Sequence, residues 1–192
     1  MKSEKSKWIL LLIVVFLTGC ATTVNSHPKQ IPPIDLSIVS SYQENLSVDL
    51  INDQPDTTPK EYTRLVGINK SVYTSLTVNY NEWTRFFIDS YTAELTKRGV
   101  KVYKDSPNKI KARLSNFGYF LFSPNLGFTS VARVNIVVQL SSSDDKWSKI
   151  YHEWDESGWS RGRAFGSVVY HTIEKLLKDS EVIDRMRISE VK

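Results

Sequence analysis

The longest regular pattern in the chain is an alternation of apolar and polar residues in its second half. Within residues 129–140 one alternate set of positions is apolar throughout, namely Ala132, Val134, Ile136, Val138 and Leu140. A period of two predicts a strand with one buried face. Residues 110–122 and 147–156 are predicted strands on either side of it, with turn-forming residues in between. The three segments together predict an antiparallel meander.

Two other segments have apolar residues at intervals of three and four, which is typical of amphipathic helices. The first predicted helix covers residues 82–98, with Asn81 as its N-cap and Gly99 at its left-handed end. Its predicted buried stripe consists of Trp83, Phe86, Phe87, Tyr91 and Leu95. The second predicted helix covers residues 163–178. Its stripe consists of Phe165, Val168, Val169, Thr172, Leu176 and Leu177. A short third helix is expected after Asp179.

Shorter segments of β type surround the first helix, and they cover residues 46–51, 64–68, 73–78 and 100–103. Residues 21–33 are polar and contain three prolines, which predicts a flexible tether. The order of elements predicts an α+β fold: an antiparallel β-sheet with two main α-helices packed on one face. We therefore expect a single domain over residues 46–192, preceded by a tether over residues 20–45.

The first nineteen residues have the three parts of an export signal. Lysines at positions 2, 5 and 7 precede an apolar run over residues 8–17, which is shorter than the roughly twenty residues that a membrane-spanning helix needs. The run ends in Leu17-Thr18-Gly19-Cys20, which resembles the lipobox of bacterial lipoprotein signal peptidase. We predict that the peptidase recognises Leu17, Thr18 and Gly19, cleaves after residue 19, and leaves lipid on Cys20. A plain signal peptide and an uncleaved anchor are the alternatives.

Lipidation of Cys20 would hold the protein on a membrane, because two or three acyl chains anchor a protein stably. Ala21 follows the cysteine, whereas an aspartate at that position retains lipoproteins in the inner membrane of enteric-type bacteria. The sequence therefore predicts an outer-membrane lipoprotein whose domain faces the periplasm. Cys20 is the chain's only cysteine, so neither a disulfide nor a thiolate metal site is expected.

The charge of the chain argues against a nucleic-acid partner. Removal of the signal takes away three lysines and one glutamate, which lowers the formal net charge from +4 to +2. No stretch rich in lysine and arginine remains to follow a phosphate backbone. We expect the membrane and a protein of the envelope as partners, and no nucleic acid.

The first helix closes in Lys97-Arg98-Gly99-Val100. This step, the lipobox, the order of strands and helices, the long hairpin and the acidic break in the last helix resemble the YajG-type lipoproteins of Gram-negative bacteria. The resemblance extends over nearly the whole mature chain. It implies an outer-membrane lipoprotein that faces the periplasm, with no assigned activity and with Cys20 as its one functional residue.

One catalytic motif requires an interpretation. Residues 158–162 read Gly-Trp-Ser-Arg-Gly and match the G-x-S-x-G of hydrolase nucleophile elbows. Those enzymes place the triad acid and then the histidine after the serine, yet His171 precedes Asp179 and no histidine follows it. We expect Ser160 to cap the second helix instead.

Other polar residues give no pattern of a metal or acid–base site. No pair has the spacing of metal ligands among the histidines, which are His27, His152 and His171. The acidic residues of the last predicted strand are expected in solvent rather than across a catalytic cleft, and they are Glu153, Asp155 and Glu156. Neither a metal nor a cofactor is predicted.

The tip of the predicted hairpin is apolar on both faces. Phe117, Tyr119 and Leu121 share one face, and Phe120 and Phe122 share the other. A half-buried strand needs only one apolar face, so the second is either covered by a helix or the tether, or meets a partner. Phe120 and Phe122 continue the alternation of Ala112 and are expected in the core. The candidate partner-binding residues are therefore Phe117, Tyr119 and Leu121.

These expectations favour a non-enzymatic module for binding and assembly in the envelope. The runner-up is an auxiliary lipoprotein of an envelope lipid or solute transporter. A small hydrolase comes third, because neither a charge-relay set nor a set of metal ligands is visible in the sequence.

Overall fold

The computed structural model describes residues 22–26, 28, 36, 40–42, 45–54, 60–66, 72–122, 131–142, 146–157 and 161–187. The helices within these residues are α1 (Tyr80–Lys97), α2 (Arg161–Lys178) and α3 (Ser180–Arg185). The strands are β1 (Thr22–Ser26), β2 (Ser47–Asn52), β3 (Lys60–Val66), β4 (Val72–Val78), β5 (Lys101–Val102), β6 (Lys109–Phe122), β7 (Val131–Ser142) and β8 (Ser148–Ser157). The predicted α+β class is confirmed.

The larger sheet has five strands in the order β5-β2-β6-β7-β8. β6, β7 and β8 are antiparallel neighbours, as the meander predicted. β2 is parallel to both β5 and β6, so the sheet is mixed and the prediction of an antiparallel sheet is wrong for this part. Parallel neighbours need a long crossover connection, and α1 lies in the connection between β2 and β6. The alternation of apolar residues predicts which face of a strand is buried. It does not predict whether two neighbouring strands run parallel or antiparallel.

The smaller sheet has the order β1-β4-β3. β3 and β4 form an antiparallel pair, and β1 is parallel to β4 with Thr22 opposite Thr74. The prediction of a flexible tether is therefore wrong for residues 22–26. Three of these five residues are β-branched, which favours a strand, and the prolines that suggested a tether all come after them.

α1 and α2 pack side by side against the larger sheet. α1 contacts β2 and β6, and α2 contacts β7 and β8. The ring centroids of Trp83 in α1 and Phe165 in α2 lie 5.6 Å apart. Both predicted stripes are confirmed as the core: all members are buried except Phe86, which is half-buried.

The structure confirms the predicted C-terminal end of α1 but not its predicted N-cap. The N-cap is Asn79, whose Oδ1 accepts a hydrogen bond from the backbone N–H of Glu82 at 3.1 Å. The expectation of Asn81 as the cap is wrong, because its side-chain amide donates to the carbonyl of Gln54 instead. Gly99 has φ +91°, so the predicted left-handed end is confirmed.

The short helix α3 closes the domain, as predicted. Asp179 caps it by accepting from the backbone N–H of Glu181 at 3.1 Å. Val182 and Met186 are buried. The carbonyl of Met186 accepts from the backbone N–H of Ser47 at 2.8 Å, which ties the end of the described chain to the start of β2.

The pairing of β6 with β7 contains a β-bulge. Leu114 lies opposite Val138 and Asn116 lies opposite Val137, so Ser115 is an extra residue. A single inserted residue exchanges the two sets of alternate positions in the rest of the strand.

The bulge decides which residues share a sheet face beyond it. Phe117, Tyr119 and Leu121 pair with Ile136, Val134 and Ala132, the same alternate set of β7 that contains the buried Leu140. The expectation that Phe120 and Phe122 continue the face of Ala112 is therefore wrong. The inserted residue could not be recognised from the sequence, because both sets of alternate positions in this segment are apolar.

No helix within the described part of the chain is long and apolar enough to cross a membrane.

Candidate binding surface

The two faces of the larger sheet have different environments. The inner face, which contacts α1 and α2, includes the buried residues Ile110, Ala112, Leu114 and Leu140. Alternate positions on the same strands point the other way. We call this second set the open face, and it comprises Lys111, Arg113, Gln139, Ser141, Ser148, Ile150, His152 and Trp154.

A polar groove of about 400 Å³ lies on the open face. It is lined by Asp53, Lys111, Arg113, Gln139, Ser141 and Ser148. The Nε and Nη2 atoms of Arg113 donate to Oε1 of Gln139 at 3.0 and 2.7 Å. The amide nitrogen of Gln139 lies 3.1 Å from Oγ of Ser148. A row of hydrogen bonds therefore crosses β6, β7 and β8 and holds these side chains in place.

The chemistry of the groove suits a polar ligand with negative charge. Two cationic side chains line it against the single carboxylate of Asp53. Hydroxyl and amide groups from the neighbouring strands add donors and acceptors. Arginine in particular binds carboxylates and phosphates through its planar set of donors.

Two large apolar side chains stand on the open face in the edge strand β8: Ile150 lies opposite Gln139 of the groove, and Trp154 lies opposite Asn135, four residues farther along β7. Ile150 is 54 % exposed and Trp154 is 62 % exposed, with the exposed His152 between them. A tryptophan offers a large contact area and one hydrogen-bond donor, which is why the residue is enriched at interfaces. The open face therefore combines apolar contact area with a polar groove.

A second groove, of about 630 Å³, lies where β5 ends beside β2. Its apolar lining includes Leu50, Val102 and Tyr103, of which Tyr103 is 48 % exposed. Asp49 closes one side of it, because its carboxylate accepts from the backbone N–H of Asp105 at 3.0 Å. That groove is larger in volume than the first, and both carboxylates and lysines line it.

A connected set of polar and ionisable groups links β8 to the start of α3. Lys149 donates to Asp179 and Glu181 at 3.0 and 2.8 Å, and the hydroxyl of Tyr151 donates to Asp179 at 2.6 Å. The indole N–H of Trp147 donates to Glu181 at 2.6 Å. These bonds fasten the start of α3 to β8.

The charges of this set stabilise one another. Burial raises the pKa of Asp179, but the hydrogen bonds from Lys149 and Tyr151 outweigh burial and bring it below its usual range. Burial, followed by the hydrogen bond to Asp179, raises the pKa of Tyr151. Asp179 is therefore held as an anion and Tyr151 as a neutral donor, which suits a fixed contact rather than proton transfer near neutral pH.

A buried ion pair sits at the end of α1. Nη1 of Arg98 lies 2.6 Å from Oε2 of Glu94, and both side chains are nearly inaccessible to solvent. Nη2 of Arg98 donates to the carbonyl of Leu36. The hydroxyl of Tyr42 donates to the carbonyl of Leu177 at 2.7 Å. The segment before β2 is thereby bound to the ends of both long helices.

Several predicted site residues lie outside the described residues. They are Leu17, Thr18, Gly19 and Cys20, together with His27 and Ser160. α2 begins at Arg161, directly after Ser160. The partner-binding role of the β6 residues Phe117, Tyr119 and Leu121 also stays a prediction.

The structure places the remaining candidates apart. His152 lies on β8 and His171 on α2, both exposed. Glu153 is only 11 % exposed in its side chain and pairs with Lys175 of α2, so the expectation of a solvated Glu153 is wrong. The described residues contain no group of histidines and carboxylates that could hold a metal ion.

Ile150 and Trp154 were not predicted from the sequence as candidate binding residues. The sequence did indicate that this strand has an apolar residue on each face, because the apolar Ile150 and Tyr151 are adjacent and must lie on opposite faces of a strand. The sequence did not show which of the two faces the helices cover.

The fold is distantly similar to two solved structures. One is a crystal structure of protein XCC0632 from Xanthomonas campestris, of family DUF330, with TM-score 0.43 and 10% identity. It covers 85% of this chain and 95% of that one. The other is a crystal structure of an uncharacterized protein, with TM-score 0.35, 6% identity, and coverage of 85% of this chain and 98% of that one. No family model matches the sequence, and neither does any curated protein.

Proposed function

We propose that this protein is a lipid-anchored lipoprotein that faces the periplasm from the outer membrane and acts by binding an envelope protein, without catalysis. The observation that carries the proposal is the position of the single cysteine. Cys20 stands directly behind the apolar run and behind Leu17, Thr18 and Gly19. A thiol in that position is the acceptor of the lipid in bacterial lipoproteins.

We also propose kinship with the YajG-type lipoproteins. Arg98 and Gly99 carry the resemblance, and both have a physical role in this chain. Arg98 pairs with Glu94 inside the domain, and Gly99 has φ +91°, a backbone conformation that favours glycine. The backbone at residue 99 favours glycine, and Arg98 supplies the positive charge that pairs with the buried Glu94.

The open face supports a binding role. Ile150 and Trp154 keep more than half of their surface exposed, and both lie on the sheet face that carries the groove, with Ile150 directly opposite Gln139. A protein partner would cover the two apolar side chains and meet the polar groove at the edge of the interface, which is the usual composition of interfaces.

The set around Asp179 supports a role without catalysis. Oδ1 of Asp179 accepts hydrogen bonds from Lys149 and from the backbone N–H of Glu181, and Oδ2 accepts one from Tyr151 and forms an ion pair with Lys149. The groups are engaged with one another and hold α3 to the sheet. A general base needs an acceptor that is available to substrate.

Lipidation is tested by metabolic labelling with radioactive palmitate. Cys20→Ser should abolish the label and leave unprocessed precursor, whereas a serine elsewhere near the cleavage site, in Ala21→Ser, should be labelled as the wild type is. In an enteric-type host, Ala21→Asp should hold the protein in the inner membrane. Full labelling of Cys20→Ser would remove the central proposal.

Binding is tested by photo-crosslinking in cells. A crosslinking amino acid at Ile150 or Trp154 should capture one envelope protein, while the same amino acid at the exposed Asp89 of α1 should not. The same scan at Phe117 and Tyr119 tests the hairpin. Capture of a transporter subunit would favour the auxiliary-lipoprotein alternative. Equal capture from Asp89, or measurable turnover by a protein that captures nothing, would contradict the proposal.

A further inference from the structure

We infer that one end of the smaller sheet rests on the membrane that holds the lipid of Cys20. This inference depends on the lipidation proposed above and adds the surface that faces the bilayer. We call the two ends of the smaller sheet the near end, formed by Leu65, Val66, Val72 and Tyr73, and the far end, formed by Lys60, Glu61, Thr77 and Val78.

The first step is the short distance between the lipid and the sheet. β1 begins at Thr22, so only Ala21 separates it from Cys20. Two Cα-to-Cα steps span at most about 7.6 Å. The start of β1 must therefore lie within that distance of the lipidated residue, at the surface of the bilayer.

The second step is the direction of β1. Because β1 is parallel to β4, its first residue, Thr22, lies opposite Thr74, near the start of β4. Thr74 in turn lies opposite Arg64, near the end of β3. β4 begins two residues before Thr74, and at about 3.3 Å per residue this adds about 7 Å in the direction of the near end. The near end is thus the one beside the anchor.

The third step is the composition of the two ends. Val66 pairs with Val72 and Leu65 pairs with Tyr73 at the near end. Lys60 marks the far end, where it pairs with Val78. Aliphatic residues and tyrosine are residue types that enter the head-group region of a bilayer. Arg64, which precedes Leu65 in β3, would favour anionic head groups. Apolar composition thus coincides with proximity to the anchor.

The test uses a matched pair of probes on β3. Val66→Cys and Lys60→Cys are each labelled with an environment-sensitive fluorophore in the full lipidated protein, since the thiol of Cys20 is blocked by its lipid. The two positions are six residues, or about 20 Å, apart in the same strand and on the same alternate set. The protein is placed in vesicles that contain a lipid with a spin label on its head group.

The probe at Val66 should be quenched at least twofold more than the probe at Lys60. Equal quenching would mean that the sheet lies flat on the membrane, and no quenching at either position would mean that it stands away from it. Both results would overturn the inference. Tyr73→Cys at the near end and Thr77→Cys at the far end, which lie four residues apart in β4 and on the same alternate set, provide a second pair if Val66→Cys does not fold.

The mass of the N-terminal peptide, measured on the same samples, separates the two proposals. A lipidated Cys20 with unequal probes supports both. A lipidated Cys20 with equal or absent quenching overturns only the position of the sheet. An unmodified Cys20 overturns the lipoprotein proposal, and the inference falls with it.

Discussion

The inner and open faces of the larger sheet are built from the same strands and have opposite uses. On the inner face, Trp83 and Phe165 fill the space between the helices, and Leu114 and Leu140 are covered completely. On the open face, Trp154 remains 62 % exposed. Apolar surface that is buried on folding stabilises the domain. Apolar surface that stays exposed contributes free energy only when a binding partner covers it. A residue type therefore acquires its role from the face on which the register places it.

Two tryptophans test this difference most strongly. Trp83→Ala should lower the free energy of unfolding by about 3–5 kcal/mol, because it leaves a large cavity between α1, α2 and the sheet. Trp154→Ala should cost far less, because 62 % of that residue is already exposed to solvent and only its remaining contacts are lost. Urea denaturation followed by circular dichroism measures both. A loss of similar size at Trp154 would show that the open face is part of the core.

The buried pair Glu94–Arg98 should come next in size. Arg98→Met removes one charge and leaves the other buried, which costs about 3–5 kcal/mol for buried pairs of this kind. Lys97→Ala is the matched control, since Lys97 also contacts Glu94 but is 68 % exposed and should contribute below about 1 kcal/mol. Equal losses in the two variants would contradict a buried and specific role of Arg98.

The same pair predicts a dependence on acid. Burial raises the pKa of Glu94, but the hydrogen bonds from Lys97 and Arg98 outweigh it and lower the pKa below its usual range. The stabilisation is therefore present above the unfolded-state pKa of about 4.3 and is lost as pH falls through the lower folded-state value. Glu94→Gln should show a weaker decline below about pH 4 than the wild type. Denaturation at a series of pH values checks this, and parallel curves would oppose it.

Two buried tyrosines should respond to the same substitution with opposite signs. The hydroxyl of Tyr91 is buried and has no hydrogen-bond partner among the described residues. Tyr91→Phe should raise stability by about 1 kcal/mol, because it removes an unsatisfied polar group. Tyr151→Phe should lower it by about 1–2 kcal/mol, since Asp179 loses a donor. Calorimetric melting resolves the two signs, and a loss at Tyr91 would reveal a partner for its hydroxyl.

The smallest effect on stability is expected in the groove of the open face. Arg113→Ala should change the free energy of unfolding by no more than about 0.5 kcal/mol, since its side chain is exposed. If the groove meets the partner, the same variant should lose crosslinking from Ile150. Arg85→Ala, an exposed arginine on α1, is the control that should leave crosslinking unchanged. A stable Arg113→Ala protein with full crosslinking would restrict the interface to β8.

The sequence by itself determined the long helices, the three-strand meander and the buried stripes of the helices. A period of 3.6 residues marks which side of α1 and α2 must leave water, and all members of the predicted stripes are at least half-buried. The same local physics determined the end of α1 at Gly99 and the cap of α3 at Asp179. These features depend on residues within a few positions of each other.

Only the tertiary structure decided features that join distant parts of the chain. The parallel pairing of β2 with β6, the addition of β1 to β4 and the hydrogen bond from Arg98 to the carbonyl of Leu36 all depend on contacts between residues far apart in sequence. The bulge at Ser115 decided which half of the hairpin tip continues the inner face. An alternating pattern specifies two faces but not which of them a helix covers, because that choice depends on how the whole chain packs.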